Sequence, residues 1–293
     1  MIKFVNAKIN LGLDIVARRA DGYHDLQTVF YPVGVLSGTP RSPRPFDDIL
    51  EIVPADSEDT LLLTGRSVDC PRERNLVWRA LCVYRERLER EGLNGRLGPV
   101  SLTLDKHLPD GAGLGGGSAD ATFTLEALEE LSEGALGREA LAEIALSLGA
   151  DCPFFLLNRC AYARGVGEKL EELPLSLAGM WCVIVKPPVS ISTARAFAGV
   201  TPAVPTFDLR RLPELPVSEW RGTVKNDFEQ SLFPQFPQLA EIKEALYASG
   251  AVYASMSGSG SSLYGLFDNY DTALKTYEHW ESTDTAVWLL LLT

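Results

Sequence analysis

From Phe4 to Leu13 apolar and polar residues alternate. Val5, Ala7, Ile9, Leu11 and Leu13 fall on one face of a strand, and Asn6, Lys8, Asn10 and Gly12 on the other. An apolar face backed by an amide–ammonium–amide face predicts a strand that is half exposed or lines a cleft. Ala20-Asp21-Gly22 predicts a turn, and Leu26–Val33 a second strand. Ser37–Asp48, rich in Pro, Ser and Gly, predicts a long loop. Leu76, Ala80, Val83 and Leu88 give helical spacing to Asn75–Leu93.

Further along, Val100, Leu102 and Leu104 alternate as a strand, and Leu108 to Ser118 is a glycine-rich loop. Ala121, Leu125, Leu128 and Leu131 recur on one helix face, which Gly134 ends. Leu141, Ile144, Ala145 and Leu148 mark a second helix, with Gly149 at its C-terminal end. Val183–Val185 reads as a short buried strand closed by Pro187-Pro188, and Thr201–Pro216 as irregular chain. Leu239, Ile242 and Leu246 mark a helix ended by Gly250. A small-residue loop, Ser255 to Ser262, precedes a strand at Leu263–Phe267, and the apolar run Ala286–Leu292 reads as a last buried strand or helix. Strands and helices alternate without a regular βαβ repeat, so the class is α+β. A seam near residues 158–165 divides the chain into expected domains 1–160 and 161–293.

Composition narrows the function classes. The 293 residues are 46% hydrophobic and 23% charged, a globular balance that suits one large domain or two ordinary ones. Lys plus Arg number 27 against 39 Asp plus Glu, a net charge of −12. So acidic a surface argues against general nucleic-acid or anionic-membrane partners, which need a basic face. The five cysteines are odd in number and form no CxxC, and only three histidines accompany them. That speaks against a zinc site or a disulfide framework and for buried reduced thiols in a cytoplasmic protein. The opening residues carry no signal-peptide pattern, and the longest apolar run falls short of the roughly 20 residues a bilayer needs, so a soluble protein is expected.

The central chemical signal is LPDGAGLGGGSAD, Leu108 to Asp120, with five glycines from Gly111 to Gly117. Such a loop lets backbone approach a ligand closely. The helix after it aims free N–H groups and its dipole back into the loop, which suits phosphate. A flexible linker is the plain alternative, but linkers seldom join a clear strand to a clear helix. Gly111, Gly113 and Gly116 match GxGxxG, yet a long helix followed by another helix is not the dinucleotide context. No GK[ST] follows the loop, and the HRD and DFG signatures of protein kinases are missing. The second loop, SMSGSGSS, is equally a polar turn when taken alone. Together the two loops favour a nucleoside-triphosphate site. Lys8, on the polar strand face, and Asp151, before Cys152-Pro153, also admit plain readings as a surface lysine and a turn-forming aspartate.

In order, these elements resemble the GHMP kinase superfamily. PDGAGLGGGSAD is similar to its central phosphate motif and SMSGSGSS to its third motif. AKINL with RRADGYHDLQTVF, NLVWRA (Asn75–Ala80), GADCPFFL (Gly149–Leu156), ARGVGE (Ala163–Glu168) and KNDFE (Lys225–Glu229) narrow the resemblance. They resemble the branch that acts on a methylerythritol cytidine diphosphate in the non-mevalonate isoprenoid pathway. The triple glycine before SAD favours this branch over homoserine, mevalonate or galactose kinases.

The resemblance implies a two-domain α+β fold with the active site in the interdomain cleft, and transfer of the ATP γ-phosphoryl group to the substrate's 2-hydroxyl. It implies Lys8 and Asp151 as the catalytic pair. It puts Pro109, Asp110, Gly111, Ala112, Gly113, Leu114, Gly115, Gly116, Gly117 and Ser118, with Asn75, on ATP. Asn75 equally suits a helix N-cap. Asn10, Tyr23, His24 and Phe197 are put on the cytidine diphosphate substrate, where aromatic faces suit a pyrimidine. Mg²⁺ is expected with ATP, but no ligand is assigned. Ala119 stands where the family usually has a second serine, and Gly116 and Gly117 fill the stretch where related kinases hold the metal through a serine. Phe228 replaces a smaller aliphatic residue of the KNDFE motif, a packing change.

The chemistry suits such a pair. An alcohol is a poor nucleophile, so a carboxylate that accepts its proton helps, and an ammonium stabilises charge on the transferring group. Two rivals stay open: a GHMP kinase acting on another alcohol, and a nucleotide-binding regulator without catalysis. DGYH argues against the first, because those alcohols carry no pyrimidine. The joint presence of Lys8 and Asp151 argues against the second.

Overall fold

The computed structural model describes residues 1–34, 46–68 and 70–293, so the loop expected at Ser37–Asp48 lies almost wholly outside the described residues. The strands are β1 (Ile2–Val5), β2 (Ala7–Arg18), β3 (His24–Val33), β4 (Asp48–Pro54), β5 (Thr60–Gly65), β6 (Val100–Lys106), β7 (Ala161–Gly165), β8 (Lys169–Glu172), β9 (Trp181–Lys186), β10 (Tyr253–Met256), β11 (Leu263–Phe267) and β12 (Ala286–Leu291). The helices are α1 (Leu76–Arg90), α2 (Gly116–Leu131), α3 (Gly137–Leu148), α4 (Cys152–Leu157), α5 (Thr193–Ala198), α6 (Asp227–Leu232), α7 (Pro237–Ala248) and α8 (Tyr270–Glu281). No helix among the described residues is long and apolar enough to cross a membrane.

The chain forms two compact units, and neither is one continuous stretch. The first holds the described residues of Met1–Ala7, Pro45–Asp110 and Gly115–Asn158; the second holds those of Lys8–Arg44, Gly111–Leu114 and Arg159–Thr293. The last crossing lies at 158/159. The earlier crossings carry the N-terminal hairpin and four residues of the glycine loop into the second unit.

In the first unit, β1-β4-β6-β5 form a mixed sheet, antiparallel except for the parallel pair β5–β6. Leu50, Ile52, Val100, Leu102 and Leu104 make its buried face, and α2 packs on β1 and β4. Helices α1, α3 and α4 pack around α2. Gly149 ends α3 with φ 176°, an extended conformation.

In the second unit, β2-β3-β7-β8 form one sheet and β10-β11-β9-β12 another. α7 packs on β10 and β11, and α8 on β9 and β12. The core joins Leu13 and Leu26 of the first sheet to Val183, Val185, Leu263, Val287 and Leu289 of the second and to Phe228, Leu239 and Ile242 of the helices. The C-terminal apolar run is thus a strand.

The strand read at Phe4–Leu13 is two strands, parted at Asn6, and the polar face of β2 is buried rather than half exposed. Lys8 and Asn10 are 3% and 2% exposed. The reason is the outer edge of β2, whose N–H groups are answered by loops rather than by another strand. Lys8 N–H donates to Leu114 O at 2.9 Å and Leu13 N–H to Lys225 O at 2.8 Å. Asn10 N–H donates to Ser257 Oγ at 3.3 Å and Ile15 N–H to Asp227 Oδ2 at 2.8 Å. The glycine loop, the serine loop and the KNDFE segment together cover this edge, which would otherwise be free for pairing. The cysteines also differ from expectation: Cys152 and Cys182 are buried, while Cys70, Cys82 and Cys160 are partly exposed, and all are free thiols.

Candidate active site

The second unit gathers Lys8, Asn10, Gly113 and Ser257 around one carbonyl. Lys8 Nζ donates to Asn10 Oδ1 at 2.7 Å and to Gly113 O at 3.1 Å. Ser257 Oγ donates to the same Gly113 O at 2.8 Å. Asn10 Nδ2 donates to Thr28 Oγ1 at 2.9 Å, and Thr28 donates on to Gly12 O at 2.5 Å. The Asn10 amide therefore aims the Lys8 ammonium and is itself fixed by β3. The ammonium also lies 5.0 Å from the centre of the Phe30 ring.

The two small-residue loops touch here. Ser262 N–H donates to Ala112 O at 3.1 Å. Gly113 has φ +76°, and a Cβ built on it would fall on the Ser257 carbonyl. Its missing side chain makes room for the second loop. Gly111, at φ +56°, has nothing within 4 Å of an added Cβ.

In the first unit, Gly115 caps α2 at φ 74°, ψ 13°, a left-handed conformation that glycine adopts without strain. The first intrahelical bond at this end runs from Ala119 N–H to Gly115 O, so the N–H groups of Gly116, Gly117 and Ser118 have no partner within the helix. Beneath them is a buried ion cluster that sequence patterns did not single out. Lys106 Nζ lies 2.5 Å from Asp48 Oδ2, 2.6 Å from Asp120 Oδ2 and 4.0 Å from Asp110 Oδ1. Asp48 Oδ1 also accepts the N–H groups of His107 and Leu108, at 2.5 and 2.7 Å. Burial alone would neutralise Lys106, but Asp120 and Asp48 outweigh it and hold the ammonium charged. Burial, with Asp48 adding, pushes the Asp120 carboxyl up against the pull of Lys106. A Cβ on Gly116 would stand 3.2 Å from Lys106 Nζ, so the helix start sits directly on this cluster. The signal in the sequence was Lys106 and Asp120, one charge at each end of the glycine loop.

Asp151 sits between α3 and α4 with φ −82°, ψ −15°, and its carboxylate does not cap α4. Thr122 Oγ1 bonds both Ser118 O, at 2.9 Å, and Cys152 O, at 3.0 Å, which fixes this turn against the first turns of α2. Asn75 is the N-cap of α1: its Oδ1 accepts Val77 N–H at 2.9 Å.

At the other end of β2, the His24 and Phe197 rings stack at 4.9 Å and 20°. Phe197 meets Phe228 edge-on at 4.9 Å and 88°. Phe228 therefore supports the aromatic pair from behind, and its size gains a reason. Tyr23 is 65% exposed at the adjacent turn.

A cavity of about 460 Å³ lies elsewhere in the second unit, lined by Gln27, Tyr162, Arg164, Glu171, Asp208 and Arg210 among others. Strand alternation turns Gln27 away from Leu26 and Thr28, so this cavity is behind β3 from the Asn10 network. Its two guanidinium groups are balanced by two carboxylates, a set that selects neither anion nor cation. Among the described residues no group of three or more His, Cys, Asp or Glu side chains is arranged to hold a metal ion.

The family described as GHMP kinases N terminal domain matches residues 75–159, and that described as GHMP kinases C terminal matches residues 203–284. The chain is 45% identical over 268 residues to the 4-diphosphocytidyl-2-C-methyl-D-erythritol kinase of Parabacteroides distasonis, covering 92% of each. It is 46% identical over 270 residues to that of Porphyromonas gingivalis, covering 91% of this chain and 92% of the relative. A crystal structure of a 4-(cytidine 5'-diphospho)-2C-methyl-D-erythritol kinase superposes with a TM-score of 0.80 at 35% identity, over 100% of this chain and 99% of the other. A homoserine kinase from Cytophaga hutchinsonii shares the fold, with a TM-score of 0.70 at 19% identity over 99% and 95% of the two chains. The chain belongs to the GHMP kinases and, within them, to the family of 4-diphosphocytidyl-2-C-methyl-D-erythritol kinases.

Proposed function

We propose that this chain transfers the γ-phosphoryl group of ATP to the 2-hydroxyl of 4-diphosphocytidyl-2-C-methyl-D-erythritol, a step of non-mevalonate isoprenoid precursor synthesis. The observation that carries the reading is the buried Lys8 ammonium, fixed by Asn10 on the carbonyl of Gly113 where the two small-residue loops meet. A buried, aimed ammonium beside a glycine loop is suited to charge on a phosphoryl group in transfer.

The remaining roles rest on the chemistry of each group and on the family's motifs. The free N–H groups and dipole of α2 receive phosphate oxygens, with Pro109–Ser118 forming the approach. Asp151 accepts the proton of the 2-hydroxyl as the oxygen attacks phosphorus; the bond to the ADP oxygen breaks, and the proton passes on to solvent. His24, Phe197 and Tyr23 supply aromatic surface for the cytosine. Asn10 acts on Lys8, since its amide is engaged by Lys8 and Thr28. Asn75 starts α1 through its Oδ1 and is taken as an ATP contact on the family resemblance. The donor set suits Mg²⁺ carried chiefly by the phosphates of ATP, as is usual for this ion, with no dedicated protein cage. The cytoplasm is the matching compartment, where free thiols stay reduced.

The test is an ADP-release assay with a panel of alcohols: the cytidine diphosphate substrate, homoserine and mevalonate. Turnover confined to the first, with phosphate on the 2-position by NMR, is expected. Preference for either of the others would overturn the reading.

A further inference from the structure

The KNDFE motif is left without a role by the chemistry above. In the second unit this segment is laid along β2 and against the serine loop at once. Its Lys225 carbonyl and Asp227 carboxylate receive the Leu13 and Ile15 N–H groups, both at 2.8 Å. Between them, Asn226 is 3% exposed. Its Nδ2 donates to Met256 O at 2.8 Å and to Gly258 O at 2.9 Å. Its Oδ1 accepts Phe228 N–H at 3.0 Å and so caps α6. Glu229 Oε1 accepts Met256 N–H at 2.8 Å and Ser255 Oγ at 3.1 Å.

Met256 and Gly258 flank Ser257, so Asn226 ties the chain down on both sides of the residue that shares Gly113 O with Lys8. Resting on the functional reading above, we propose that Asn226 is a positioning residue of the phosphoryl-transfer site: it fixes Ser257, and through Ser257 the Gly113 carbonyl on which Lys8 is anchored. A loop of serines and glycines has little side-chain packing and many accessible backbone states. Hydrogen bonds from a rigid neighbour are what hold it in one place. An asparagine suits the task because one side chain offers two N–H donors and an acceptor in a plane.

The test uses Asn226→Asp and Asn226→Ser. The aspartate keeps the acceptor for Phe228 N–H but turns an oxygen toward two carbonyls. The serine keeps a capping oxygen, repels nothing, and is too short to reach either carbonyl, so it carries the test if the aspartate variant does not fold. Each is expected to lower kcat about 10- to 100-fold, as a misplacement of about 1 Å can do. KM for ATP should rise and KM for the cytidine substrate stay unchanged. Combining Asn226→Ser with Ser257→Ala should do no more damage than the worse single change, because both act through one contact. Wild-type kcat in Asn226→Ser, or losses that multiply in the double variant, would overturn the proposal. So would equal changes in both KM values, which mark a general structural role. A wild-type chain inert toward the cytidine substrate would overturn the functional reading instead. Positioning is then read from ATP affinity by calorimetry, where weaker and non-additive binding in the same variants upholds it and additive losses overturn it.

Discussion

Lys8 Nζ and the Gly113 carbonyl, 105 residues apart in the chain, are joined at 3.1 Å. Ser257 Oγ fills the remaining capacity of that oxygen, at 2.8 Å. The relationship makes Gly113 a junction where β2, the glycine loop and the serine loop must fit together, and it sets the sharpest contrast among the glycines. Gly113→Ala should push its Cβ into the Ser257 carbonyl and separate the loops, with loss of ATP affinity. Gly111→Ala has positive φ but open space and should do far less. Calorimetric titration with ATP on both variants decides; equal effects would show that the junction does not control the loop.

Asp151→Asn should preserve the fold, because the carboxylate does not cap α4. Removing a general base is expected to lower kcat about 10²- to 10⁴-fold while substrate binding changes little. Steady-state kinetics within a few-fold of wild type would take Asp151 out of the mechanism.

Tyr23→Ala and Phe197→Ala should separate stacking from packing. Tyr23 is 65% exposed, so its removal should leave the melting temperature alone. It should weaken the cytidine substrate by about 1–3 kcal/mol, the range of one base–aromatic stack, and leave ATP untouched. Phe197→Ala also removes the contacts with His24 and Phe228, so it should lower both substrate affinity and thermal stability. Equal loss for ATP in either variant would contradict the assignment.

Lys106→Met should be strongly destabilising. It leaves Asp48 and Asp120 buried without their cation, a change of about 3–5 kcal/mol in comparable cases. Chemical denaturation measures it, and a variant as stable as wild type would show that the carboxylates find other partners.

Asp14 gives a pH dependence. Burial, with Asp227 adding and Lys225 opposing, pushes its carboxyl up to about 6. The unfolded value is about 3.9, so the native state binds this proton more tightly than the unfolded state does. The stability tied to this group is complete below about pH 4, declines as pH rises toward the folded value, and is gone above it. Asp14→Asn should therefore be more stable than wild type at pH 7 in chemical denaturation, by about 1–3 kcal/mol, and the gain should vanish toward pH 4. A difference independent of pH would show that Asp14 does not titrate in that window.

Sequence alone determined most of the elements and the motifs, because these are local. Alternation of apolar residues gave β2 and β6, a turn signal pointed to β3, and helical spacing gave α1, α2, α3 and α7. Five glycines from Gly111 to Gly117, after a strand and at the start of a helix, mark the loop in the sequence. Tertiary structure decided what those residues face. It buried the polar side of β2, because three segments distant in sequence cover the edge of that strand. It set Gly113 against the serine loop, and it put Lys106 between Asp48 and Asp120. It also gave Asn226 its partners. Burial and hydrogen-bond partners are set by chain segments that meet only after folding, and no periodicity in one segment records which others will arrive beside it.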